Sequence, residues 1–213
     1  MTSDSTFVDQ AANGFARLSA FLREEQWRLA EAHGLTPTQI DILVLLKRRG
    51  ACRGRDIARQ LGVRQPTSSG AVDALARKGL AGKRRDPSDG RAVLVDLTAS
   101  GATLAARLDR APEALETALS RLGTAARADL ARSLTTVIKD LQENGAIEPQ
   151  RHCVSCRFFR PNLHDNPEKP HHCAFVDAAF GDASLRFDCG DHDEADAGEI
   201  AENWRRFDTA GSA

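Results

Sequence analysis

Four cysteines in the last third of the chain are the residues whose type and spacing most directly suggest chemistry: Cys153, Cys156, Cys173 and Cys189. The first two form a Cys-x-x-Cys step; sixteen residues then precede Cys173, and fifteen more precede Cys189. A Cys-x-x-Cys turn presents two thiolates to one tetrahedral ion from a single tight loop, and two thiolates from other loops complete the shell. The pattern therefore points to one metal site per chain. Zinc is one occupant, as a structural ion. An iron–sulfur cluster held by four cysteines is the alternative, and it would make the protein a redox or iron sensor. Four free thiols that oxidise in pairs are a third reading. His171, His172 and His192 stand nearby, and Cys189-x2-His192 has ligand-like spacing of its own. They read as flanking groups, with the exchange of one for a cysteine left open. The fifth cysteine, Cys52, falls in an expected loop and reads as a small residue there.

A second set of residues suits recognition rather than bond chemistry. Residues 47–91 hold 13 Lys+Arg against 4 Asp+Glu, inside a chain whose net charge is −1. Such a block is the electrostatic footprint of a polyanion partner, although a solvated basic surface is the plainer explanation of any basic run alone. The charge is also divided along the chain: residues 1–147 carry 22 basic against 17 acidic side chains, and residues 148–213 carry 7 against 13.

The elements that must position these groups follow from periodicity and stop signals. Phe15, Leu18, Leu22 and Leu29 mark one amphipathic helix over 7–32, stopped by Gly34. Thr36 and Pro37 open the next, as N-cap and first helical residue, with Ile40, Leu43, Val44 and Leu46 facing a core. It ends at Lys47-Arg48-Arg49-Gly50, cations near the helix C-terminus and glycine as the stop. A short helix over 53–61, a turn at Gly62, and a helix over 65–78 with Val72, Leu75 and Ala76 inward make a helix-turn-helix. The second of these begins with Arg64, Gln65, Thr67, Ser68 and Ser69, small or polar groups suited to base edges and phosphate. A strand over 81–85, a turn over 86–90 and a strand over 91–97 then form a hairpin carrying Lys83, Arg84, Arg85 and Arg91, a wing able to reach the minor groove or phosphates.

The stretch LARKGLAGKRRDPSDGRAVLVDLTASG, residues 75–101, resembles the wing region of the MarR family of winged-helix regulators. The resemblance covers 1–145 in organisation. It implies that Asp89 and Arg91 shape the wing turn, with Arg91 entering the minor groove. Gly90 between them, and Ala81 where a β-branched residue is more usual, are departures that leave the assignment intact. Beyond Thr98, leucines 104, 108, 115, 119 and 122 form one helical stripe that Pro112 is expected to kink, and Leu130, Leu134, Val137, Ile138 and Leu141 form the next. These helices and the first one have apolar faces that one small domain cannot cover. A two-fold homodimer is expected, presenting two recognition helices to a pseudo-palindromic site on double-stranded DNA.

The expected fold is therefore mainly α with a small β-hairpin wing. A winged helix-turn-helix with a helical dimerisation region spans 1–145, and a small cysteine-rich, metal-stabilised region spans 146–213. In the latter, Phe158, Phe159, Phe175, Phe180, Leu185 and Phe187 are too few to fold unaided, and a short helix around Trp204 and Phe207 is expected to dock on the body. The functional expectation is a DNA-binding transcriptional regulator, a repressor by preference, modulated through the cysteine site. Iron–sulfur sensing is the alternative, and a metal-stabilised interaction or electron-transfer module is the alternative of another class. No catalytic constellation is present, so no enzyme is expected. The longest apolar run is too short for a bilayer and the first ten residues lack the pattern of an export signal, which gives a cytoplasmic expectation with no membrane partner. The resemblance allows a small-molecule effector, but no residue specifies one.

Overall fold

Helix α2 (Pro37–Arg49) organises the first part of the molecule. Its start is a capping box: the Thr36 hydroxyl accepts the Gln39 N–H at 3.3 Å and the Gln39 side chain accepts the Thr36 N–H at 3.4 Å. Such a cap is worth about 1 kcal/mol. Ile42 and Leu45 are buried as well as Ile40, Leu43 and Leu46, so α2 is covered on more than the single expected face. The computed structural model describes residues 3–209, with side chains from 5 to 208. Its packing divides into two units, residues 1–115 and 116–213.

In the first unit, α1 (Ser3–Ala32) precedes α2. The two-residue strand β1 (Cys52–Arg53) follows, then α3 (Gly54–Gln60) and α4 (Gln65–Arg77). The hairpin is β2 (Ala81–Asp86) and β3 (Asp89–Leu97), and the antiparallel sheet runs β1-β3-β2 with Cys52 opposite Val95 and Ala81 opposite Leu97. Cys52 thus lies in an edge strand rather than a loop. The wing turn is tighter than expected: Asp86 pairs with Asp89, leaving Pro87 and Ser88 between the strands. Ile42, Leu43, Leu46, Ile57, Val72, Leu75, Val95 and Ala105 form the shared core.

The helix expected to kink at Pro112 is two helices, α5 (Ala99–Leu108) and α6 (Glu113–Ser120). Proline has no N–H to give and its ring blocks the preceding turn. The carboxylate of Asp109, just past α5, is also held by Lys47 at 2.7 Å and by Arg48 at 2.9 Å. At the start of α5, Thr98 accepts the Gly101 N–H at 3.0 Å and donates to the Gly79 carbonyl at 2.7 Å. A Cβ on Gly101 would lie 1.8 Å from the Leu80 carbonyl oxygen. The Leu-Thr-x-x-Gly end of the wing pattern is therefore a packing device that seats α5 on the loop after α4.

The second unit contains α7 (Thr124–Glu143), a 3₁₀ turn at Cys153–Ser155, and the short strands β4 (Phe159–Arg160), β5 (His171–Cys173) and β6 (Ala178–Phe180). A 3₁₀ turn at Asp182–Ser184 and α8 (Ala197–Thr209) complete it. The sheet is antiparallel in the order β4-β5-β6. Its core holds Val154, Cys156, Phe159, Leu185 and Phe207, with Ala131, Phe180 and Trp204 packed against it. Helices α7 and α8 thus supply apolar surface that the cysteine-rich stretch lacks. Arg132 of α7 stacks over the Phe207 ring at 4.3 Å and donates to Asp182 at 3.0 Å and to the Phe207 carbonyl at 2.6 Å. For this reason the expected boundary at 145/146 falls inside a packed unit. Phe175, expected to contribute core, is 52% exposed.

Candidate nucleic-acid interface and cysteine centre

The first turn of α4 is open. Arg64 precedes it in extended conformation, no side chain caps it, and no acidic residue occupies it. Arg64, Gln65, Thr67 and Ser69 are exposed. Uncapped N–H groups at a helix start, with the positive end of the helix dipole, suit a phosphate oxygen. Ser68 differs from its expected role: it is 1% exposed, and its hydroxyl has no hydrogen-bond partner among the described residues. The reason is helical period. Ser68, Val72 and Leu75 fall at i, i+4 and i+7 and form the buried stripe of α4.

In the wing, Asp86 has the role of anchor and Asp89 a lesser one. One Asp86 oxygen accepts the Ser88 N–H at 2.9 Å and its hydroxyl at 2.7 Å, and the other accepts Arg53 Nε at 2.8 Å and Nη2 at 2.5 Å. The Ser88 bonds, then those from Arg53, hold the Asp86 carboxyl down at about 2. Asp89 is 45% exposed; it accepts the Arg91 N–H at 3.2 Å and lies 3.6 Å from Arg53. The Asp86-Pro87-Ser88 step is an Asx-turn sequence, which signals the Ser88 bonds, whereas nothing local marks Arg53 as the partner of Asp86.

Much of the basic block is used internally. Lys47 and Arg48 hold Asp109, Arg53 holds Asp86, Arg59 lies 3.4 Å from Asp56, and Lys78 donates to the Gly34 carbonyl at 2.5 Å. On the wing, Lys83 meets Asp73 at 2.5 Å and Arg84 lies 3.6 Å from Asp96. Among the described residues, Arg64, Arg85 and Arg91 are exposed and form no ion pair, leaving their charge for a partner.

In the second unit, all four cysteines line one cavity of about 150 Å³. Cys153 and Cys156 bracket a 3₁₀ turn closed by the Cys156 N–H to the Cys153 carbonyl at 2.9 Å. Cys173 ends β5, opposite Phe159 on one side and Ala178 on the other. Cys189 is held through its N–H to the Arg151 carbonyl at 2.8 Å. The Arg186 N–H donates to Cys153 Sγ at 3.3 Å and its guanidinium to Cys189 Sγ at 3.7 Å. Burial pushes the Cys153 thiol up to about 11, against the Arg186 N–H, and the three other cysteines push the same way. No three His, Cys, Asp or Glu side chains among the described residues are gathered closely enough for a single ion, even though the four cysteines share the cavity.

The histidines have other partners. His171 is fully buried; its Nδ1 accepts the Asn162 N–H at 3.2 Å and its Nε2 meets Asp182 at 3.0 Å, between the rings of Phe159, Phe180 and Phe207. Burial pushes the Asp182 carboxyl up, but bonds from His171 and Arg132 outweigh it and hold it below its ordinary value. His172 lies 3.3 Å from both His164 and Asp177, and His192 meets the Ser155 hydroxyl at 2.9 Å. None of the three lines the cavity.

Residues 35–93 match the model described as MarR family. The uncharacterized HTH-type transcriptional regulator YkoM of Bacillus subtilis is 32% identical over 87 residues, 41% of this chain. The match spans 56% of that relative's length. Among solved structures, the S. aureus MepR–DNA complex superposes with a TM-score of 0.51 at 26% identity, over 62% of this chain and 98% of that one. The transcriptional regulator BldR from Sulfolobus solfataricus superposes with a TM-score of 0.54 at 23% identity, over 66% of this chain and 99% of that one. Over the part of the chain that these structures cover, the fold is thus a winged helix like theirs. Among the described residues, no helix is long and apolar enough to cross a membrane.

Proposed function

We propose that this chain, with a MarR-type winged helix over residues 35–93, is a DNA-binding transcriptional regulator rather than an enzyme, acting as a two-fold dimer. The observation that carries the reading is the pairing of an uncapped α4 N-terminus with a wing whose Arg85 and Arg91, like Arg64, are exposed and form no ion pair among the described residues. The likeness to MepR, solved as a DNA complex, supports it. The α4 start contributes Arg64, Gln65, Thr67 and Ser69 to the major groove, and the wing contributes Arg85 and Arg91 beside it. Dimerisation is supported by α1, where Phe7, Phe15, Leu18, Leu22 and Trp27 are each more than 40% exposed. An effector site has support in a cavity of about 550 Å³ lined by Leu22, Gln26, Asp41, Val44 and Leu115, within the size range of small-molecule pockets. The four cysteines sharing one cavity support a metal centre that modulates the regulator. Selection of duplexes from a random library, followed by the mass of the complex, tests the central reading. It expects an inverted-repeat site with two chains per duplex; no enrichment, or one chain per site, refutes it.

A further inference from the structure

We propose that Cys153, Cys156, Cys173 and Cys189 ligate an iron–sulfur cluster rather than a single zinc ion. This deepens the metal centre proposed above and rests on it. The first argument is size. Zinc binds thiolate at about 2.3 Å, so four zinc-bound sulfurs lie within about 4 Å of one another. Here no three candidate ligands among the described residues are gathered for one ion, yet all four cysteines line the same cavity of about 150 Å³. That volume is several times the roughly 30 Å³ share of a water molecule. An occupant with its own bridging sulfides fills such a space and keeps the ligand sulfurs apart, as a cluster held by four cysteines does.

The second argument is the wall. Phe158, Phe159, Phe175, Val176 and Phe180 line the cavity with the cysteines, and no histidine does. His171, the histidine buried beside it, has both ring nitrogens engaged by Asn162 and Asp182. The four sulfurs are thus the soft donors of a largely apolar wall, whose other polar members are Ser184, Arg186 and Asp191. The third argument is hydrogen bonding to sulfur. The Arg186 N–H points at Cys153 Sγ (3.3 Å) and its guanidinium at Cys189 Sγ (3.7 Å). Donors to cluster sulfurs set reduction potential, and a cation beside them offsets the negative charge of a thiolate-ligated cluster.

The test is the full chain purified without oxygen from iron-supplemented cells, with iron, acid-labile sulfide and zinc counted per chain and the visible spectrum recorded. The expected protein is brown, with iron and sulfide in equal amounts of about two or about four per chain and zinc far below one. Cys173→Ser should lose most of the iron and sulfide, and Cys52→Ser, in the first unit, should keep both. A colourless protein with about one zinc per chain overturns the cluster and leaves the metal centre standing. One iron without sulfide does the same. Protein lacking all three overturns both. The wild-type counts decide the matter even if Cys173→Ser fails to fold.

Discussion

Replacing Gly101 by alanine adds one methyl group at the tightest approach in the winged helix. The new Cβ would lie 1.8 Å from the Leu80 carbonyl oxygen, and ordinary van der Waals separation begins near 3.4 Å, so about 1.6 Å has to be found. The surrounding atoms resist it. Leu80 is fixed by its N–H to the Leu75 carbonyl at 3.0 Å and by accepting the Thr98 N–H at 3.2 Å. Thr98 is tied to Gly79 at 2.7 Å and to Gly101 itself at 3.0 Å. Separation sacrifices the Thr98–Leu80 bond and weakens the cap of α5, about 1 kcal/mol each, on top of about 1–3 kcal/mol for overpacking. The intrinsic helix preference for alanine returns about 1 kcal/mol. The net expectation is a destabilisation of about 2–4 kcal/mol. Urea unfolding measures it, and hydrogen exchange over residues 95–108 assigns it to the first unit. Gly70→Ala is the matched control: nothing lies within 4 Å of its added Cβ, and a gain of up to about 1 kcal/mol is expected. Equal midpoints for Gly101→Ala and wild type, with unchanged exchange, would refute the packing argument.

Three further outcomes follow from the same geometry. Asp86→Asn should destabilise the wing near neutral pH. Because the folded-state carboxyl sits at about 2, below its ordinary 3.8, its contribution is complete above that ordinary value and is lost as pH falls toward 2; the gap in melting temperature between variant and wild type must narrow across that window. Ser68→Ala removes a buried hydroxyl with no partner among the described residues, so it should leave DNA affinity unchanged and raise stability by up to about 1 kcal/mol, whereas Gln65→Ala weakens binding in a fluorescence anisotropy titration. A large drop in affinity in Ser68→Ala would show that the inward placement is wrong. His171→Ala should cost about 3 kcal/mol in denaturant unfolding, by emptying a fully buried site and stripping a partner from Asp182, while the refolded variant binds as much metal as the wild-type chain does; selective metal loss would make His171 a ligand.

Residues whose role is local are legible in the sequence. The Thr36–Gln39 cap, the glycine stops and the hairpin need only neighbours a few positions away, and their spacing states them. Residues whose role depends on a distant partner are not. Asp86 and Asp89 look alike in sequence, and it is Arg53, 33 positions from Asp86, that makes Asp86 the anchor. Ser68 is different: its place four and seven residues before the inward Val72 and Leu75 is a local signal that sends it, and not Ser69, inside. His171 stands near Cys173 in sequence but has the surroundings of a core residue, because Asp182 and Phe207 arrive from later in the chain. The cysteine-rich stretch reads as short of apolar mass for the same reason: Ala131, Trp204 and Phe207 come from α7 and α8.

The central claim is that the wing cations left without internal partners are spent on DNA. Anisotropy titrations of the full chain against a selected duplex, repeated across a range of salt, test it in wild type and in an Arg85→Ala/Arg91→Ala double variant. The account predicts weaker binding with a shallower dependence of log affinity on log salt, by about one unit for each phosphate interaction removed, and no change in thermal stability. Equal affinity and equal salt slope in the two proteins would contradict it.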